Sequence, residues 1–259
     1  MILPPTTKQQ TQIPKLLYRF RFLNTNQIQK LMGHKLPTRI QAWLKDLKEK
    51  QYIGTNYKRK TFEEGNKPAI YYLKPKVRKI LESEENFNIN LFNSRIYKEH
   101  SRGEKFVNHC IFVADMYLFF LSKKEKKEDL QFFTKTDLVD YDYFPDTELD
   151  GYIVVKNGKK TKRYFLNIFD PYTPAFVYRN IFKKYSDYAK SKKWENSTGN
   201  TPLPLVLFVC HSDNMQKHIY FHAKSKFEKQ TSNKISLFLT TRNTIQFAKK
   251  DTDIWQKVK

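Results

Sequence analysis

Three stretches of helical apolar spacing followed by two short strand-like runs, all within residues 13–81, restrict the first third of this chain to a small helical module closed by a hairpin. In IPKLLYRFRFL, Ile13, Leu16, Leu17, Phe20 and Leu23 recur at the period of a helix. Asn24 then stands where an N-cap belongs, and Gln27 follows three residues later, the spacing of a capping box. The short helix this predicts buries Ile28, Leu31 and Met32 and stops at Gly33, a residue that takes a left-handed conformation without steric cost. Pro37 suits the first turn of a third helix, whose inner stripe is Ile40, Trp43, Leu44 and Leu47. Its other face carries Thr38, Arg39, Gln41, Ala42, Lys45 and Lys48. Tyr52 and Ile53 begin a strand, the polar run EEGNKP turns the chain, and AIYYL makes a second strand. Pro75 opens a last short helix, PKVRKIL.

That order of elements is the order of a winged helix-turn-helix. The run from Lys45 and Leu47 to Tyr52-Ile53, with a hairpin ending in Tyr71-Tyr72-Leu73 ahead of Pro75, resembles the winged helices of bacterial regulators. Charge points the same way. Residues 1–82 hold 18 Lys and Arg against 5 acids, whereas the remainder holds 30 against 21, within a chain of net charge +22. A basic surplus concentrated on one small module is the electrostatic footprint of a phosphate-backbone binder. A helix fits the major groove and reads base edges with outward residues near its N-terminus. On that logic Arg39 pairs with guanine and Gln41 with adenine, with Thr38 beside them. Lys35 and Lys45 meet phosphates, and Lys58, Arg59 and Lys60 on the wing grip the flanking backbone. Winged helices also dock other proteins, so an adaptor role stays open.

Several classes fall away on composition. Glycine is scarce, seven in all, and no GxxxxGK[ST] or GxGxxG pattern is present. The two cysteines, Cys110 and Cys210, sit in apolar runs and read as buried thiols without zinc-ligand spacing. No signal peptide is legible after Met1, and no apolar run reaches the roughly 18 residues of a membrane helix. The expectation is a cytoplasmic protein with no membrane partner.

The domain reading is 1–82 for the winged helix-turn-helix, 83–104 for a polar linker with a short ordered piece at INLF, and 105–259 for a second domain. That domain opens on a long helix, KFVNHCIFVADMYLFFLSKK, apolar around much of its circumference. Strand-like LQFFTK, GYIVVK and RYFLNIF follow, the last two joined by the basic turn NGKKTK. Then come the helix AFVYRNIFKKYSDYAKSKKW, the continuous apolar strand PLPLVLFVC, the helix-compatible SDNMQKHIYFHAKSKF and the strand ISLFLTT. The predicted class is therefore α/β, or α+β overall, with a mixed sheet in the second domain.

Phe144-Pro145-Asp146, the two hairpin strands after it, and a helix carrying Lys183-Lys184-Tyr185 resemble the core of the PD-(D/E)xK nuclease superfamily. With the N-terminal module added, the chain is similar to the replication-relaxation family of plasmids and integrative elements. The resemblance runs over roughly residues 12–212. It rests on the order of Tyr52-Ile53, His109 with Asp115, Pro145-Asp146, the strand Tyr164–Phe169 and Lys183-Lys184-Tyr185.

The chemistry that resemblance implies is metal-assisted phosphodiester hydrolysis, with two carboxylates holding a magnesium or manganese ion and a lysine aiding the attacking water. Asp146 stands where the first metal ligand belongs. The second position should read Asp/Glu-x-Lys, and this chain has Asn167-Ile168-Phe169. Asp170 is at odd parity to Asn167, so it reaches the same face only at a bulge or strand end. Lys183 or Lys184 could replace the missing lysine, and Asp137, Asp140 or Asp142 could add a ligand. The expectation is a degenerate site on a retained scaffold, with an active metal-dependent endonuclease or nickase as the alternative. His218 and His222 are four apart but lack an HExxH pattern, and His109 reads as a core histidine. The partner expected is double-stranded DNA, bound without a cofactor. A homodimer and a replication or mobilisation partner protein are left open.

Overall fold

The computed structural model describes residues 5–56, 67–85, 87–228, 235–249 and 252–259. The chain divides into two compact units, 1–118 and 119–259.

In the first unit, α1 (Lys8–Phe20) begins earlier than the apolar spacing suggests. Thr7 caps it, and Thr7 and Gln10 form a complete capping box. Strand β1 (Leu23–Asn24) leads into α2 (Thr25–Leu31), whose N-cap Asn24 and Gln27 make the second box, as the sequence spacing predicts. Gly33 ends this turn at φ +63. Helix α3 (Pro37–Glu49) buries Ile40, Leu44 and Leu47. Trp43 is only half-buried and meets the edge of His34, and Leu31 and Met32 are half-buried as well, where the sequence reading put all three inside.

Strands β2 (Ile53–Asn56) and β3 (Ile70–Leu73) complete an antiparallel sheet of order β1-β3-β2. Gly54 lies opposite Tyr72, and a Cβ there would sit 2.4 Å from the Tyr72 ring, so only glycine lets that ring lie across the strand. The Pro75 segment is a 3-10 turn (Pro75–Val77) followed by α4 (Arg78–Leu81).

Residues 83–104 are not a linker between domains. They contain α5 (Ile89–Ile96), capped by Asn88, and a 3-10 turn (Glu99–Ser101), and they bury Phe92, Ile96 and Glu99 in the first unit. Its last component is α6 (Glu104–Lys123), and the division between units falls within this helix, not ahead of it. Val107 and Cys110 pack with Phe22 and Tyr72. Gln27, 2% exposed, donates from Nε2 to the Ile111 carbonyl at 2.8 Å and to Asp115 Oδ1 at 2.7 Å, so one side chain caps α2 and ties it to α6. With 20 residues and a mean hydropathy of 1.2, α6 is long and apolar enough to cross a membrane, contrary to the sequence expectation that no run reaches that length. Five of its residues, Val107, Cys110, Val113, Ala114 and Met116, are buried within the protein.

The second unit is built on a six-stranded sheet of order β4-β5-β6-β7-β8-β9. Strands β4 (Glu128–Thr134), β5 (Gly151–Asn157) and β6 (Lys160–Ile168) form an antiparallel meander. Helices α7 (Ala175–Ser191) and α8 (Lys193–Ser197) then lead to β7 (Leu205–Cys210), which joins β6 in parallel. Helix α9 (Asp213–Glu228) and the parallel strand β8 (Leu237–Thr241) follow, then α10 (Arg242–Phe247) and the short antiparallel β9 (Gln256–Lys257). Helix, strands, helix, strand, helix, strand is the order read from the sequence, and the sheet is mixed.

Alternation along β6 sets what faces what. Phe165, Asn167 and then Phe169 point to the α7 side, where Phe165 stacks on Tyr185 and Phe169 meets Tyr178 edge-on. Tyr164 points the other way, toward Phe120. Cys110 and Cys210 are buried and form no disulfide, and burial pushes the Cys210 thiol up to about 12, which keeps it protonated and inert.

Candidate nucleic-acid interface and nuclease-like site

The outward face of α3 is assembled by the capping and turn chemistry ahead of it. Gln29 Nε2 donates to the carbonyls of His34 (3.1 Å) and Lys35 (3.3 Å), closing the α2–α3 turn. Pro37 starts α3 with no backbone N–H to satisfy. The apolar stripe then anchors the helix inward and leaves Lys35, Thr38, Arg39, Gln41, Lys45 and Lys48 exposed. The one aspartate of α3 turns away from this face: Asp46 accepts from Gln10 Nε2 and Lys50 Nζ, both at 2.7 Å. Lys45 and Glu49 stand 4.0 Å apart in solvent, a pair of negligible strength. Of the DNA-contact residues read from the sequence, the structure thus gathers Lys35, Thr38, Arg39, Gln41 and Lys45 on one exposed surface. Lys58, Arg59 and Lys60 lie outside the described residues.

The nuclease-like positions converge only in part. Asp146 sits in the loop before β5 with its side chain 92% exposed, and Lys184 from α7 donates to Asp146 Oδ2 at 3.0 Å. Asn167 is 2% exposed and hydrogen-bonded on both ends of its amide. Its Nδ2 donates to the Thr147 carbonyl at 2.9 Å, and its Oδ1 accepts from the Tyr185 hydroxyl at 2.6 Å. Burial pushes the Tyr185 phenol far above its usual range, so it remains a donor. Asp150 accepts from the Ile168 backbone N–H at 2.6 Å, which fixes the loop against the end of β6.

Asp170 lies beyond the strand end, but it does not turn in toward Asp146. It pairs with Arg242 at the start of α10. Lys183 faces solvent on a different side of α7 from Lys184. Of the extra acids, Asp137 accepts from both the backbone N–H and the hydroxyl of Thr134 and so closes its own turn.

The residues present do not fit a divalent ion. A magnesium or manganese ion needs carboxylate oxygens converging on one point, with carbonyl or water oxygens completing its shell. Among the described residues no group of three His, Cys, Asp or Glu could hold a metal. Asn167 offers a neutral oxygen already occupied by Tyr185. Sequence reasoning singled out Asn167 but not the role of Tyr185, although it stands in the Lys183-Lys184-Tyr185 motif. Its partner is reached through helix packing, which no local pattern reveals.

A family model described as replication-relaxation matches residues 15–203, nearly three quarters of the chain. Comparison with curated proteins and with solved structures gives no significant match. The matched span starts in α1 and ends just before β7, so it takes in the helical module, its sheet, the β4–β6 meander and the helix that seals Asn167. This places its role in the replication or relaxation of plasmids or other mobile elements, and the chain belongs to the replication-relaxation family.

Proposed function

We propose that the protein binds double-stranded DNA through α3, and that the second unit keeps a nuclease-like scaffold without its metal-dependent chemistry. The observation that carries the first half is the exposed face of α3, where Thr38, Arg39, Gln41 and Lys45 stand together while the apolar stripe and Asp46 are turned inward. A rigid helix with cations and a planar amide near its N-terminus suits the base edges and flanking phosphates of a major groove. No cofactor is needed for that contact. The second half is supported by Asn167, whose amide is held between Thr147 and Tyr185 where a carboxylate would be required.

The test is duplex binding by gel shift on a pool of labelled DNA, with and without manganese. Arg39→Ala and Lys45→Ala are expected to weaken binding far more than Lys257→Ala, and affinity should fall steeply with salt, as for any protein displacing counterions from several phosphates. Equal losses from all three variants, or a flat salt response, would remove α3 from the interface. DNA cut by the wild type but not by Asp146→Ala would establish an active endonuclease instead.

A further inference from the structure

Helices α7 and α9 flank an open groove of about 440 Å³ on the second unit, whose lining includes neither Asp146 nor Lys184. Arg179, Lys183 and Lys190 line it from α7, and Lys226 from α9, with His222 and Phe182 between them. Asp187 is the carboxylate of that lining among the described residues, and no ion pair joins it to any of the four cations. Like charges held this close repel unless an anion lies between them. The imidazole of His222 registers that field: burial first, then Arg179 and Lys226, hold it below its usual range.

The α7 cations are not scattered. Phe176, Arg179, Lys183, Asp187 and Lys190 follow each other at intervals of three or four residues, so they form one exposed stripe along the helix. At its N-terminal end the Phe176 ring is 71% exposed. The same end carries the exposed Tyr172.

We propose that the α7–α9 groove is a second nucleic-acid site, which takes a single strand, its phosphates against Arg179, Lys183, Lys190 and Lys226 and a base stacked on Phe176. The shape selects the strand. An open groove of about 440 Å³ has room for part of one strand and is far too small to seat a duplex. A cationic track with an aromatic platform is the general solution for binding unpaired strands without reading sequence, because every base has a stacking face. This site does not rest on α3. It gives the protein a way to hold duplex and unpaired strand on different units.

Fluorescence anisotropy on the full chain tests it, with labelled oligo-dT and oligo-U of roughly 20 nucleotides, longer than most single-strand site sizes, and a duplex as the third probe. The double variant Lys183→Ala/Lys190→Ala should lose at least about tenfold in oligo-dT affinity, and its salt slope should shrink by about 1.4, or ~0.7 per phosphate contact on a single strand. Phe176→Ala should cost roughly tenfold. Both should bind duplex as the wild type does, whereas Arg39→Ala should lose duplex and keep oligo-dT. Comparison of oligo-dT with oligo-U separates DNA from RNA as the natural strand. Unchanged oligo-dT binding by the Lys183/Lys190 variant overturns the site, as does an equal loss from the exposed pair Lys126→Ala/Lys127→Ala. Wild-type affinity in Phe176→Ala overturns the stacking. Circular dichroism confirms that each variant is folded.

Discussion

At residue 167 the chain carries an amide where the nuclease resemblance implies a carboxylate, and the surroundings suit the amide. Nδ2 faces two backbone carbonyls, of Thr147 at 2.9 Å and Glu148 at 3.5 Å, while Oδ1 faces a phenol that burial keeps protonated. Asn167→Asp would turn a donor into an anion aimed at those carbonyls, nearly out of contact with water. A buried charge with no cation to meet it costs on the order of 3 kcal/mol. The new carboxyl would be raised above its unfolded value by burial, so the folded form would bind the proton more tightly than the unfolded chain. The variant should therefore be closest to wild type in acid and lose stability as pH rises through the folded-state value. Urea midpoints at several pH values check this, and a pH-independent difference would count against it. The same substitution should not restore manganese-dependent cleavage. From the sequence, the missing charge was legible at once. The partners that hold the amide were not, because Tyr185 comes from a helix eighteen positions further on.

Among the elements, the segment before α6 departs most from what the sequence suggests. Phe92 and Ile96 are four apart on α5, but Asn88, Asn90, Asn93 and Ser94 around them make the run look like a polar connection. What fixes it is electrostatic as much as apolar. Arg21, just past α1, contacts Glu99 Oε1 through Nε at 2.9 Å and Nη2 at 2.8 Å, and Glu99 is 4% exposed. Arg21 and Arg102 both lie over the Phe106 ring, at 4.4 Å and 5.0 Å. Arg95 stands nearby, lowered to about 10 by burial and by Arg21, still cationic at neutral pH. Glu99→Ala would leave these guanidiniums facing one another without their anion, and a loss of about 3 kcal/mol is expected, read as a lower urea midpoint with an unchanged slope. By contrast, α2 and the start of α3 were legible because their signals are local: the Asn24–Gln27 box, Gly33 and Pro37 act within a few residues of themselves. The start of α1 carried the same signal, Thr7 and Gln10, ahead of any apolar period. The full length of β4 did not, since Glu128 and Asp129 become strand only by pairing with Asn157 and Lys156 of β5.

For the molecule as a whole, the net charge of +22 is divided between two compact units, each with a cationic surface of different shape: the convex face of α3 and the concave groove between α7 and α9. The boundary between the units bears on how each can be studied alone. A fragment ending at residue 82, where the sequence composition changes, would strip Phe22 and Tyr72 of Val107 and Cys110, deprive Gln27 Nε2 of both its acceptors, and leave Arg21 without Glu99. Phe22 is fully buried, and exposing one such ring alone costs about 1.5–3 kcal/mol. Together with the lost Gln27 and Arg21 pairings and the other apolar contacts of α5 and α6, these losses are comparable to the whole stability of a small domain. A fragment of residues 1–123, which keeps α5, the Glu99 turn and all of α6, should therefore melt cooperatively, while residues 1–82 should show a broad, weak transition or none. Thermal melts of the two by circular dichroism decide it. A sharp transition in the shorter fragment would mean that the helical module and its hairpin hold together without α6, and that Gln27 and Phe22 find other partners when the helix is absent.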